Sequence, residues 1–207
     1  MEKGGQAIGF VSPSHYTNQV IETIQTLNKW GLKPIVVYNT NGYDTVETIR
    51  LLEPFVDIYL PDYKYADAGL AQSLSGAADY PDVAAKAVKE MYSQKGNQLI
   101  ENDEGYALRG LIIRHLVLPG YVENSKKVLL SIAENISVNV HISLMAQYNP
   151  AFYPGSDKNL QRTLTSAEYE DVCNYYDDLG FSRGWIQSLD SSLHYNPDFS
   201  ANHPFEY

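Results

Sequence analysis

Five short apolar runs recur along the chain, and each breaks into polar residues at its C-terminal end. Ala7-Ile8-Gly9-Phe10-Val11 passes into Ser12-Pro13-Ser14-His15-Tyr16, and Pro34-Ile35-Val36-Val37-Tyr38 passes into Asn39-Thr40-Asn41-Gly42. Val56-Asp57-Ile58-Tyr59-Leu60 leads to Pro61-Asp62-Tyr63-Lys64, and Leu111-Ile112-Ile113 to Arg114-His115. The run 138–144 leads to Met145-Ala146-Gln147-Tyr148. Runs of this length bounded by turn residues read as buried strands. Between them the apolar spacing becomes helical. Val20, Ile24 and Leu27 mark a helix over 18–30 that Gly31 closes. Asp44-Thr45-Val46-Glu47 reads as a capping box ahead of Ile49 and Leu52. A short helix plus loop is predicted over 66–80, and Pro81 suits the start of the next helix, with Val83, Ala84, Ala87, Val88 and Met91 on one face.

Residues 94–108 read as a turn-rich excursion with a small hairpin, followed by a strand over 110–118. A helix over 124–134 carries Val128, Leu129 and Ile132, and 149–164 reads as a long loop. Thr165-Ser166-Ala167-Glu168 is a second capping box, opening a helix that ends at Gly180 before a last strand near 184–189. Strand–helix alternation of this kind predicts an α/β fold with a parallel sheet, whose site lies where the strands end. Residues 1–190 are expected to form one domain, with 191–207 a flexible tail.

The strand ends hold the candidate chemistry. Asp62 and Lys64 are two apart, so in extended chain they face the same side. Lys64 there has three readings: a Schiff-base amine, an anion-binding cation, or the partner of Asp62 in an ion pair. Arg114 and His115 are adjacent in a strand and face opposite sides, and Arg114 is assigned to the pocket because a buried guanidinium needs an anion. His115 and His141 then read as packed or interfacial histidines. Cys173 shares a helix face with Tyr169, Val172 and Tyr176 and reads as a core residue.

Composition narrows the field. A net charge of −10 argues against a nucleic-acid partner, because phosphate binding needs clustered Lys and Arg. No apolar run approaches the ~18 residues of a membrane span. One cysteine among 207 residues fits a reducing compartment, so the expected location is cytoplasmic, with no membrane partner.

The series Phe10-Val11-Ser12-Pro13-Ser14-His15-Tyr16, Val37-Tyr38-Asn39-Thr40-Asn41-Gly42-Tyr43, Val56 through Lys64, and Arg114-His115-Leu116-Val117-Leu118-Pro119-Gly120 resembles radical S-adenosylmethionine (radical SAM) enzymes, in the branch of pyruvate formate-lyase activating enzyme. The resemblance implies a partial TIM-like (β/α)6 barrel. It implies a site for SAM, with Ser12, Pro13, Ser14 and His15 in place of the usual Gly-Gly-Glu. Asn39, Asn41 and Lys64 would lie along methionine and ribose, Arg114 opposite them, and Gln147 and Tyr148 near the adenine. Thr40 and Asp62 would lie near a monovalent cation. Family chemistry also implies a 4Fe-4S cluster on a Cys-x3-Cys-x2-Cys loop after the first strand, and a glycyl-radical protein as substrate. The matched segments align to the family beyond that strand and loop, so the resemblance implies a chain truncated at its N-terminus and inactive alone. The strand at 7–11 would then be an uncovered edge open to self-association.

Two other readings stand beside this one. A cluster-free barrel enzyme would use Lys64 for covalent or anion-binding chemistry and be trapped by borohydride with a carbonyl substrate. A non-catalytic interaction module would keep the fold, bind no SAM, and cover the edge at 7–11 with a partner.

Overall fold

The structure is a computed structural model, and it describes residues 5–153 and 155–190. The expected tail at 191–207 lies outside the described residues. The frame is one sheet of β1 (Ala7–Val11), β2 (Ile35–Thr40), β3 (Ile58–Pro61), β4 (Ile100–Glu101), β5 (Ala107–Leu116), β6 (His141–Met145) and β7 (Gly184–Ile186). Its order is β1-β2-β3-β5-β6-β7 with all these neighbours parallel, and β4 folds back antiparallel on β5 as a small hairpin. Six helices intervene: α1 (Thr17–Lys29), α2 (Val46–Leu52), α3 (Ala68–Ser75), α4 (Tyr80–Lys95), α5 (Val122–Asn135) and α6 (Ser166–Asp178). β1 and β7 do not pair, so the sheet is an unclosed, partial TIM-like barrel, as expected.

Side-chain alternation divides the sheet into a covered and an open face. Val36, Tyr38, Tyr59, Leu111, Ile113, His115, Ile142 and Leu144 are buried on the covered face. The apolar stripes of the helices join them in one core, including Val20 and Ile24 of α1, Ile49 and Leu52 of α2, Val88 and Met91 of α4, Leu129 and Ile132 of α5, and Val172 of α6. Each such aliphatic side chain contributes about 1.5–3 kcal/mol by leaving water. Cys173 packs against this core while remaining only partly buried.

Several boundaries differ from expectation. β2 runs on through Asn39 and Thr40, and β6 begins at His141 although 138–140 looks strand-like. β5 starts at Ala107 because the hairpin with β4 holds its first residues. The Thr165–Glu168 capping box forms with both reciprocal bonds. The one expected at Asp44–Glu47 does not: Thr45 is the N-cap and accepts from Thr48 N, which puts a threonine where the reciprocal Glu would be needed. Asp44 is buried instead, accepting from the Thr40 and Tyr38 hydroxyls. Among the described residues no helix is long and apolar enough to cross a membrane.

Candidate functional site

Parallel pairing lines up the C-terminal strand ends. Ser12 N donates to Asn39 O at 2.8 Å, Asp62 N to Thr40 O at 2.9 Å, and Tyr63 N to Arg114 O at 2.8 Å. These bonds carry the ladder past the ends of β1 and β3. Asp62 and Arg114 therefore sit side by side in register, as an isolated bridge beyond β3. Arg114 Nε and Nη2 donate to Asp62 Oδ1 at 2.8 and 2.6 Å, while Lys64 Nζ lies 3.7 Å from Asp62 Oδ2. One carboxylate thus faces two cations. The surplus positive charge opens onto a cavity of about 250 Å³ lined by Asp62, Lys64, Tyr65, Arg114, Leu116, Leu118, Met145 and Gln147.

Local sequence explains how the tips hold their shape. Tyr80, at the start of α4, is buried, and its hydroxyl donates toward Asn41 O at 2.9 Å and Asp62 O at 2.8 Å. The same oxygen accepts from Lys64 N at 3.0 Å. Burial pushes the Tyr80 phenol strongly upward, so it remains a donor at ordinary pH. Gly42 passes under this clamp with φ +80, where an added Cβ would collide with Asp62 O. A side chain at that position meets both a left-handed backbone and a backbone oxygen.

His115 secures the other flank. Its Nδ1 lies 2.7 Å from Tyr63 O, and its Nε2 lies 2.9 Å from Ser125 Oγ. A carbonyl only accepts, so Nδ1 carries the proton and Nε2 accepts from Ser125. Complete burial drives the imidazole down to about 4, against the weaker raising effects of Tyr63 O and Asp62. Asn124 adds two bonds to the segment after Asp62, donating to Lys64 O and accepting from Ala66 N. Glu168 ties in the loop after β5, accepting from Gly120 N at 2.7 Å while bound by Arg162. The Arg162 guanidinium holds the Glu168 carboxyl far below the usual range.

Of the residues expected from sequence, Asp62, Lys64, Arg114 and Gln147 come together around one cavity. Gln187 Nε2 donates to Gln147 Oε1 and orients it. Asn39, one residue before the end of β2, lies on the same open face, and Asn41 accepts from Tyr43 N in a tight turn. Thr40 is buried on the covered face, bonded to Asp44 and 3.3 Å from Ser14 Oγ. Ser12 adopts a left-handed conformation with φ 51, the one non-glycine among the described residues to do so, which costs about 1–2 kcal/mol. Pro13 is buried and His15 exposed in the 3-10 turn Pro13–Tyr16. Tyr148 donates to Leu160 O and so anchors the long loop. Tyr80, Tyr65, Leu116, Leu118 and Met145 were not anticipated as site residues. Aliphatic and aromatic side chains of this kind carry no mark in sequence that separates them from core positions.

A larger cavity of about 500 Å³ opens at the opposite strand ends, lined by Gln6, Ala7, Ile35, Val37, Ile58, Glu104, Tyr106 and Ala107. It lacks the convergent charges of the first. We place ligand chemistry at the smaller cavity for that reason.

The fold and these strand tips define an open α/β protein with a mixed-charge site at the C-terminal strand ends. No family model matches the chain. It is 31% identical over 159 residues to an uncharacterized protein of Methanocaldococcus jannaschii, which matches 76% of this chain and 41% of that relative. The chain therefore spans less than half the length of this curated relative. A solved domain of pyruvate-formate lyase-activating enzyme from Bacteroides vulgatus superposes with a TM-score of 0.63 at 15% identity, over 89% of this chain and 100% of that one. That likeness establishes a shared fold.

Proposed function

We propose that the strand tips bind S-adenosylmethionine, as part of a radical SAM-type protein of the pyruvate formate-lyase activating branch. The observation that carries this reading is the convergence of Lys64, Arg114, Asp62 and Gln147 on one cavity with an apolar wall. SAM presents a carboxylate together with a purine, and the site offers a complement to both. Lys64 suits the carboxylate, and Leu116, Leu118 and Met145 offer the purine an apolar surface, while Asp62 holds Lys64 and Arg114 in place. The cavity is smaller than a usual ligand cleft of about 300–1,000 Å³, so part of SAM would extend along Asn39 and Asn41 at the open β2 tip. Of Thr40 and Asp62, the residues expected near a monovalent cation, Thr40 faces the covered side of the sheet, so the cation is proposed on the Asp62 side.

The 4Fe-4S cluster does not fit these residues. The sequence holds one cysteine, Cys173, which lies on α6 with its thiol pushed up by burial. Among the described residues no group of three or more His, Cys, Asp or Glu is placed to hold a metal. The role proposed for this chain is binding and orienting SAM, with no radical step assigned to its own side chains. A glycyl-radical protein is the proposed substrate of the whole assembly.

Titration calorimetry with SAM tests the reading. The chain is expected to bind SAM, and Lys64→Ala to weaken binding about tenfold, or about 1.4 kcal/mol. Absence of heat with SAM in large excess, or equal binding by the variant, would overturn it.

A further inference from the structure

The ladder between β6 and β7 is continued past its last paired residues by a side chain. Ile142 N donates to Arg183 O at 3.2 Å, and Gln187 N donates to Leu144 O at 3.0 Å. With that parallel register, the next rung would run from Ala146 N to the main-chain oxygen of Gln187. Ala146 N donates instead to Gln187 Oε1, at 3.0 Å. The amide of Gln187 thus takes the place of its own carbonyl. Leu144 O also accepts from the Tyr169 hydroxyl, which pins the rung from which Gln187 extends.

That bond fixes two amides in turn. A backbone N–H only donates, so the atom of Gln187 that meets Ala146 is the oxygen and the other is the nitrogen. Gln187 Nε2 lies 3.0 Å from the Gln147 amide, and an NH2 group only donates, so Gln147 meets it with Oε1. The free end of the Gln147 amide is then Nε2, two N–H donors without a hydrogen-bond partner among the described residues. Gln147 lines the 250 Å³ cavity, so its acceptor is used within the protein and its donor is left for a ligand. Asp62, which also lines the cavity, is already occupied by Arg114 and Lys64.

We propose that Gln187 is a positioning residue that fixes Gln147 as a hydrogen-bond donor, and that this donor selects ligands with an unprotonated ring nitrogen at the apolar end of the cavity. With SAM as the ligand of this site, a reading on which the proposal depends, that nitrogen belongs to the purine. β5 separates the tips of β3 and β6, so Gln147 stands two strand spacings, about 10 Å, from Lys64. SAM carries its carboxylate and its purine at opposite ends. A carboxylate on Lys64 and a purine against Leu118 and Met145 leave the edge of the base for Gln147. That edge offers N1, N3 and N7 as acceptors, and one of them takes the Gln147 donor. Turned over, the amide would set its oxygen against the same lone pair, and a hydrogen bond would become a repulsion.

The experiment has two arms, both on the full chain. In the ligand-free protein, NMR hydrogen exchange compares the two side-chain amides: the NH2 of Gln147 should exchange freely and that of Gln187 slowly. Gln187→Glu keeps one oxygen for Ala146 N and presents a second to Gln147, so Gln147 must turn over and its NH2 should become protected. Protection of the Gln147 NH2 in the wild type, or no change in the variant, overturns the relay whether or not SAM binds. In the second arm, calorimetry compares SAM with its 1-, 3- and 7-deaza analogues, each with one ring nitrogen replaced by C–H. One analogue should bind the wild type about tenfold more weakly, the scale of a single lost hydrogen bond. The same analogue should bind Gln187→Glu at least as well as SAM does. A residue that merely held β7 in place would, when changed, weaken all four ligands alike. Equal binding of the four by the wild type, or an unchanged penalty in Gln187→Glu, overturns the selectivity. If the wild type does not bind SAM, the SAM reading fails and the purine selectivity with it, while hydrogen exchange still decides the relay.

Discussion

Acidification should loosen the site through His115. The imidazole spans Tyr63 O and Ser125 Oγ from a fully buried position, and its folded value lies near 4 against 6.5 for a free histidine. As pH falls, the unfolded chain takes up the proton first, so stability contributed by the neutral ring is fully present above the unfolded value. It is lost progressively between about 6.5 and 4. A shift of this size is worth at most about 3.4 kcal/mol, and about 1.8 kcal/mol of it is lost between pH 7 and 5. Urea unfolding across that range should show the loss in the wild type, and His115→Gln should show a slope flatter by the same amount. If the variant fails to fold, NMR titration of the wild-type ring gives the answer directly: Nδ1–H at pH 7, with no protonation above pH 5. Parallel slopes, or a ring titrating near 6.5, would refute the reasoning. The site follows because Tyr63 lies between Asp62 and Lys64, and its carbonyl is what His115 holds.

Two substitutions probe the tips from the other side. Tyr80→Phe keeps the ring but removes the hydroxyl between Asn41 O, Asp62 O and Lys64 N, and should cost about 1–3 kcal/mol in urea unfolding while weakening SAM binding. Gly42→Ala places a methyl against Asp62 O on a backbone with φ +80 and should cost more than about 2 kcal/mol. Gly180→Ala, with φ +85 but open space around it, isolates the backbone contribution and should cost about 1 kcal/mol, so equal melting losses would contradict the clash.

Much of the fold was legible because burial on one sheet face leaves a period, and the strand tips were legible because that period stops abruptly. The split between Arg114 and His115 followed from alternation, and the choice of side from the guanidinium's need for an anion: the guanidinium reaches Asp62 on the open face, and the imidazole is sealed on the other. What stayed hidden was polar burial. Asp44 before a threonine looks like a helix cap whether or not its carboxylate turns inward to Thr40 and Tyr38. Tyr80 precedes a proline at a helix start, and no spacing rule tells a clamp from an ordinary aromatic. Asn39 and Thr40 concealed the last turn of the β2 ladder because polar residues ordinarily mark a strand's end. Val138 and Val140 suggested three strand residues that the chain uses before β6.

The order of the parallel strands repeats their order along the chain. Among the described residues no later strand is threaded between earlier ones, so each strand–helix unit is secured mainly by the units beside it, much as links are in a chain. A molecule lying across Asn39, Asp62, Arg114 and Gln147 would touch four successive links at once. Occupancy would then do something the backbone does not: make the opening of one link depend on all the others.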